Sequence, residues 1–168
     1  MSTTSQLSDL AADAMGKLGA RLLRSHRLMR APIWLYRAKL GFLFGKRLLL
    51  LEHTGRKTGL RRYTVLEVMD HIDAETFFVA SGFGKQAQWF RNVGANPEVR
   101  VSVGSLVSAP ARARTLDHDE ADAALQAYIE RHRRAWETMK PAIESTLGQE
   151  ISTRDTPLPI VELAVTQS

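Results

Sequence analysis

The chain has no cysteine. Disulfides and thiolate zinc sites are thereby excluded, and a reducing cytoplasm is the expected location. Long apolar runs are missing too, since none nears the roughly 18 residues of a membrane span. The opening MSTTSQLSDLAAD carries acids and no compact apolar core, unlike a secretory signal. The five histidines, His26, His53, His71, His118 and His132, show neither H-x-H nor HExxH spacing. No metal site is therefore expected, and most of them read as surface residues. G-x-S-x-G is absent, and so is any pair of carboxylates placed together for glycosidase work.

Acidic residues are missing from one long stretch. Between Ala14 and Leu51 stand nine Lys or Arg and no Asp or Glu, against chain totals of 23 and 18. The net charge of +5 is therefore local to the amino-terminal part, and the remainder is net acidic. Such an arm attracts anionic lipid, nucleic acid or an acidic face of its own protein. Specific nucleic-acid binding is not expected, because no helix-turn-helix, zinc finger or RNP-like aromatic motif accompanies the charge.

What is present suits one globular domain, with 168 residues of which 44% are hydrophobic. A helix is predicted from about Asp9 to Arg30, with Met15, Leu18, Leu22 and Met29 on one face. Pro32 separates it from a second helical piece, IWLYRAKLGFLF, ending near Gly45. Residues 1–45 thus read as a basic amphipathic arm that either packs on the rest or lies in a membrane interface. Residues 46–168 supply strands at the leucine run 48–51 and at 63–69, 77–81, 99–103, 106–116 and 160–165, mostly joined as hairpins. A short helix is expected around 86–93. A longer one should start at the capping pair Asp117 and Glu120 and run to about Met139, where Pro141 interrupts it, with 145–158 a loop. Sequential strands with helices at both ends predict an α+β fold built on a barrel or sheet of mostly antiparallel strands.

Two stretches carry chemistry. In LLLLEHTGRKTGLRR a leucine-rich strand stops at a loop holding Arg56, Lys57, Arg61 and Arg62, with Gly55 and Gly59 for the reversal. Basic hairpin tips are often merely solvated, but clustered cations with backbone N–H groups in a nest also hold anions, phosphate above all. A P-loop is excluded, because only three residues separate the glycines and Leu60 follows the second. Gly82, Gly84 and Ala87 spell G-x-G-x-x-A after a strand, yet the following helix is too short for a Rossmann crossover. These glycines still permit close approach of backbone to a ligand, beside Ser81 and Lys85.

Together LLLLEHTGRKTGLRR, SGFGKQAQWFRN and VGANPEVRV resemble the deazaflavin-dependent nitroreductase family, actinobacterial split β-barrel oxidoreductases that use coenzyme F420. The similarity runs from about Phe44 to Leu116 and more weakly to the final PIVELAV. It implies a split β-barrel with the deazaflavin in a groove. Thr54, Gly55, Arg56, Lys57, Thr58, Gly59 and Arg62 would grip the phosphate and acidic tail. Ser81, Gly82, Lys85, Trp89 and Asn92 would line the cofactor and substrate. Phe90 departs from the family's usual tyrosine, and some members place a lysine where Gly82 sits. Tyr128, His132 and Trp136, spaced i, i+4, i+8, are candidates for acceptor contacts, with Ser81, Tyr128 and His132 the catalytic candidates.

The resemblance thus implies a reductase passing hydride from reduced F420 to a small electrophile such as a quinone or nitro compound. An FMN- or haem-using split-barrel relative and a non-catalytic carrier of F420 or lipid are the alternatives. A homodimer and peripheral contact of the arm with anionic membrane complete the expected partners.

Overall fold

The computed structural model describes residues 46–166. The two helices expected within 1–45, and the placement of that arm, lie outside the described residues.

Six strands close into an antiparallel barrel in the order β1-β2-β3-β6-β5-β4. They are β1 Leu48–Thr54, β2 Arg61–His71, β3 Thr76–Ala80, β4 Glu98–Val103, β5 Leu106–Thr115 and β6 Ile160–Val165. The hairpins β1–β2 and β4–β5 form from neighbours in sequence, and β1 joins β4 to complete the ring. Alternation decides which side chains face in. Leu49 and Leu51 of β1, Val99 and Val101 of β4, and Val161 and Leu163 of β6 fill the interior, all but Val99 wholly without exposure. Each such residue contributes about 1.5–3 kcal/mol by leaving water.

One end of the barrel is stoppered by the connection between β3 and β4. It contains a 3₁₀ turn, Gly84–Gln86, and the helix α1, Gln88–Ala95, whose Trp89 and Val93 join the interior cluster. This is why the G-x-G-x-x-A stretch is no dinucleotide crossover: the strands it links are parts of an antiparallel barrel.

A second core lies outside the ring. Met69, Leu116 and Ile160 meet Ala121, Ala124, Leu125 and Tyr128 of α2, His118–Arg131, and Trp136 of α3, Arg133–Leu147. The capping box at the start of α2 is present as expected, Asp117 accepting from Glu120 N–H at 2.9 Å and Glu120 from Asp117 N–H at 3.0 Å. The single helix expected to Met139 is instead two. The break falls at His132, whose φ of −130° and ψ of 40° leave the helical region. Pro141 lies inside α3 without ending it. Pro141 and Glu137, whose carbonyl loses its usual donor, are both solvent-exposed, which lowers the cost of the missing bond. The helix stops at Gly148, in left-handed geometry with its N–H on Glu144 O. Part of the expected loop 145–158 is therefore helical.

Candidate active site: a groove between the cationic hairpin and the 150–159 strap

The β1–β2 tip folds back on itself. Gly55 N–H donates to Leu60 O at 2.8 Å, and Gly59 N–H to Gly55 O at 2.8 Å. Gly59 has φ +64°, and a Cβ on Gly55 would sit 2.8 Å from Thr58 Oγ1, so the turn needs both glycines. Thr58 N–H also returns to Gly55 O, and Arg56 N–H goes to Asn92 Oδ1 at 3.1 Å. The expected backbone nest is thus largely occupied by the protein's own acceptors. Anion binding at this tip falls to side chains.

Asn92 ties the tip to the barrel plug. Its Oδ1 accepts from Arg56 N–H and from Arg56 Nη1 at 3.0 Å, while Nη1 also reaches Gln88 Oε1 at 3.0 Å. With the oxygen so engaged, Asn92 Nδ2 points at His53 Nδ1, 3.2 Å away. His53 therefore accepts there and carries its proton on Nε2. Burial, with the Arg62 guanidinium opposite on β2 as the lesser cause, holds the imidazole down to about 4. His53 is only 5% exposed, whereas His71, His118 and His132 are exposed as expected of most of the histidines.

A groove of about 1310 Å³ runs beside this network. Its lining takes Arg56, Lys57, Thr58 and Arg62 from the hairpin and Lys85 and Trp89 from the plug. Arg61 is not in the lining; it pairs with Glu52 at 3.4 Å. The lining also takes in Leu116, Asp117, His118 and Ala121 around the start of α2, Thr146 and Leu147 at the end of α3, and the strap from Asp155 to Pro159. Gly84, with φ +64°, lets α3 approach closely: a Cβ there would meet Leu147 Cδ2 at 2.7 Å.

The expected site residues divide accordingly. Gly55, Arg56, Lys57, Thr58, Arg62, Lys85, Trp89 and Asn92 line the groove together. Thr54, Gly59 and Gly82 adjoin these residues in the chain without lining it. The three catalytic candidates are not brought to it. Ser81 is wholly buried, its hydroxyl donating to Gly84 O at 2.7 Å, so it shapes the glycine turn. Tyr128 is in the outer core, its ring edge-on to Trp136 and its hydroxyl 3.5 Å from Glu67 Oε1. Burial first, and Glu67 next, push that phenol well above its usual range, the wrong direction for a proton donor. His132 is exposed at the break between α2 and α3 and stacks at a tilt on Tyr128.

Sequence reasoning missed His53, Gln88, Phe83 and the strap. Gln88 and Asn92 sit one helical turn apart, a spacing that presents both on one face of α1. The strap offered only its prolines.

A closed six-stranded antiparallel barrel beside a groove lined by four cations and several apolar side chains defines a barrel protein built to hold an anionic small molecule. The comparisons give the particular family. The F420H(2)-dependent quinone reductase family matches residues 28–161, and the chain belongs to it. It is accordingly an F420-dependent reductase, with coenzyme F420 as its cofactor. Among solved structures, an F420-H2-dependent reductase, FDR-A, is 22% identical over 71% of this chain and 95% of its own, with a TM-score of 0.50. A chain described as a domain-swapped dimer is 20% identical over 79% of this chain and 99% of its own, TM-score 0.50. The protein Atu2129 of Agrobacterium tumefaciens, of unknown function, is 17% identical over 82% of this chain and 56% of its own, TM-score 0.52. At these identities the structures share the fold. No curated protein matches the chain. Among the described residues, no helix is long and apolar enough to cross a membrane, and no group of His, Cys, Asp or Glu is placed to hold a metal.

The groove fits such a cofactor. F420 ends in a polyanionic tail, and the donor set of Arg56, Lys57, Arg62 and Lys85 brings four cations from two separate segments into one groove.

Proposed function

We propose that the chain reduces a small, uncharged quinone with reduced F420, binding both in this one groove. The observation that carries the reading is that one groove is lined both by Arg56, Lys57, Arg62 and Lys85 and by the apolar Leu116, Ala121, Leu147 and Pro157. When bound, F420 supplies the hydride. Lys57, Arg62 and Lys85 hold anionic groups by charge-assisted bonds, and Asn92 keeps Arg56 aimed beside them. Trp89, itself 8% exposed, gives a rigid flank. Leu116, Ala121, Leu147 and Pro157 exclude water and receive the acceptor's apolar ring.

Titrating the protein with F420 and FMN tests the cofactor half. F420 should bind at micromolar or tighter concentration, about tenfold more weakly in Lys57→Ala or Arg62→Ala, and more weakly in high salt. Preferential FMN binding refutes the reading. Oxidation of reduced F420 by menadione tests the acceptor half, and its absence sinks the quinone assignment.

Two further expectations are proposals of the same kind. The basic segment within residues 1–45 is proposed to touch anionic lipid, supported by its charge pattern, and vesicle flotation lost on removal of residues 1–40 is the check. A homodimer is the proposed assembly, in line with the domain-swapped dimer among its structural neighbours, and sedimentation equilibrium decides it.

A further inference from the structure

The strap at 150–159 has one residue in an uncommon conformation. Asp155 has φ +53°, in the left-handed region that side chains other than Asn, Asp and Gly seldom adopt. It is held there from outside the strap. Asp122 of α2 accepts Asp155 N–H at 2.6 Å through Oδ2 and Thr156 N–H at 2.8 Å through Oδ1, two charge-assisted bonds on successive amides. Ile151 N–H to Glu144 Oε1 at 2.7 Å fixes the other end, and Ser81 N–H to Pro159 O at 2.8 Å seals the strap to the glycine turn. Thr156 and Leu158 are buried by this arrangement, while Asp155 stays exposed and lines the groove.

Such a backbone conformation persists where neighbours over-determine it, and here it belongs to a residue that lines the same groove as the four cations. We infer that Asp155 is a charge-selectivity residue: held at the acceptor side by Asp122, it disfavours anionic acceptors and favours neutral quinones or nitroaromatics. The inference rests on the proposed division of the groove into a cofactor side and an acceptor side. A groove that must attract a polyanion with four cations also attracts any sulfonated or carboxylated ring, and a carboxylate in the same lining counters this. The same charge opposes entry of the cofactor tail at the wrong side. Asp117, the other acid in the lining, is already engaged as the cap of α2.

The test uses the full chain saturated with reduced F420 for turnover and with F420 for binding, so that the four cations are occupied in both. Menadione and 1,4-naphthoquinone-2-sulfonate are compared as acceptors. Binding of the redox-inert pair 2-naphthol and 2-naphthalenesulfonate is measured by equilibrium dialysis, so charge discrimination is read whether or not quinones turn over. Asp155→Asn keeps a residue that tolerates the left-handed region. It should improve binding and kcat/KM for the sulfonates by about three- to tenfold while leaving the neutral compounds within twofold, the gap shrinking in high salt. Asp122→Ala, which frees the strap, should lose part of the discrimination with F420 affinity unchanged. Equal effects of Asp155→Asn on neutral and anionic compounds, or full discrimination remaining in that variant, overturn the inference. Failure of menadione reduction with the naphthol pair still discriminated removes the quinone assignment and leaves Asp155 in its role.

Discussion

Replacing Asn92 with alanine is the sharpest test of how the cationic tip is held. The substitution removes three hydrogen bonds at once: two accepted from Arg56, one of them charge-assisted, and one donated to His53. At about 1 kcal/mol for each neutral bond and 1.5–3 for the charged one, the sum approaches 4 kcal/mol. Arg56 is partly exposed and water can replace its lost acceptor, which lowers the expected cost to about 2–3 kcal/mol. The His53 ring, 5% exposed, has less recourse. Urea unfolding measures the stability, and F420 titration the affinity, which should fall at least tenfold as Arg56 loses its aim. A double-mutant cycle with Arg56→Ala isolates the pair, and the effects on F420 binding should be strongly non-additive. Additive effects, or a stability loss below about 0.5 kcal/mol, would refute the clamp. Asn92→Asp gives an independent sign: a carboxylate cannot donate to Nδ1, so His53 should take up a proton and its pKa should rise.

Three other outcomes are expected. The wild-type His53 is held at about 4 against 6.5 for the unfolded chain, so its neutral form stabilises the fold fully above pH 6.5 and that contribution disappears as pH falls through 4. The difference between wild type and His53→Gln in urea should shrink by about 1–2 kcal/mol between pH 7 and pH 4, allowing for solvent in the groove; a pH-independent difference contradicts the buried neutral ring. Gly84→Ala should lower stability by about 1–3 kcal/mol, since it meets both a positive φ and Leu147, and Leu147→Ala in the same chain should recover part of the loss in a thermal melt. Tyr128→Phe should leave kcat within about twofold and cost under about 1 kcal/mol, because the hydroxyl only reaches a long bond to Glu67; a large drop in kcat would return Tyr128 to the chemistry.

Which parts of this were legible depends on whether the signal was local. The hairpin at 48–71 could be read because a leucine run, two turn glycines and a second strand pattern are contiguous, and the Asp117–Glu120 cap because its two members are three residues apart. The break at His132 carries no Gly or Pro, and comes from a tertiary preference that swings Trp136 into the outer core. Gly148 was a readable stop signal that Pro141 obscured, since proline is so often the end of a helix. For the site, the cations could be counted, but not which of them lined the groove: Arg61 and Arg62 are adjacent in sequence and alternate across the strand, one to Glu52 and one opposite His53. The Asn92 bonds to Arg56 and His53 span 36 and 39 residues, and nothing local announces them. Tyr128 and His132 had a suggestive spacing, yet the helix face they share turns to the core and to the interhelical break.

The order of strands in the ring has a consequence for how the protein is made. Thr76 of β3 pairs with Ala164 and Ala111 of β5 with Val165, so β6 is the stave inserted between two strands that are synthesised well before it. Until residues 160–165 leave the ribosome, β3 and β5 each present a bare edge to solvent. A nascent chain in that state is a hazard for strand-by-strand association, and a premature stop before Ile160 would make the hazard permanent.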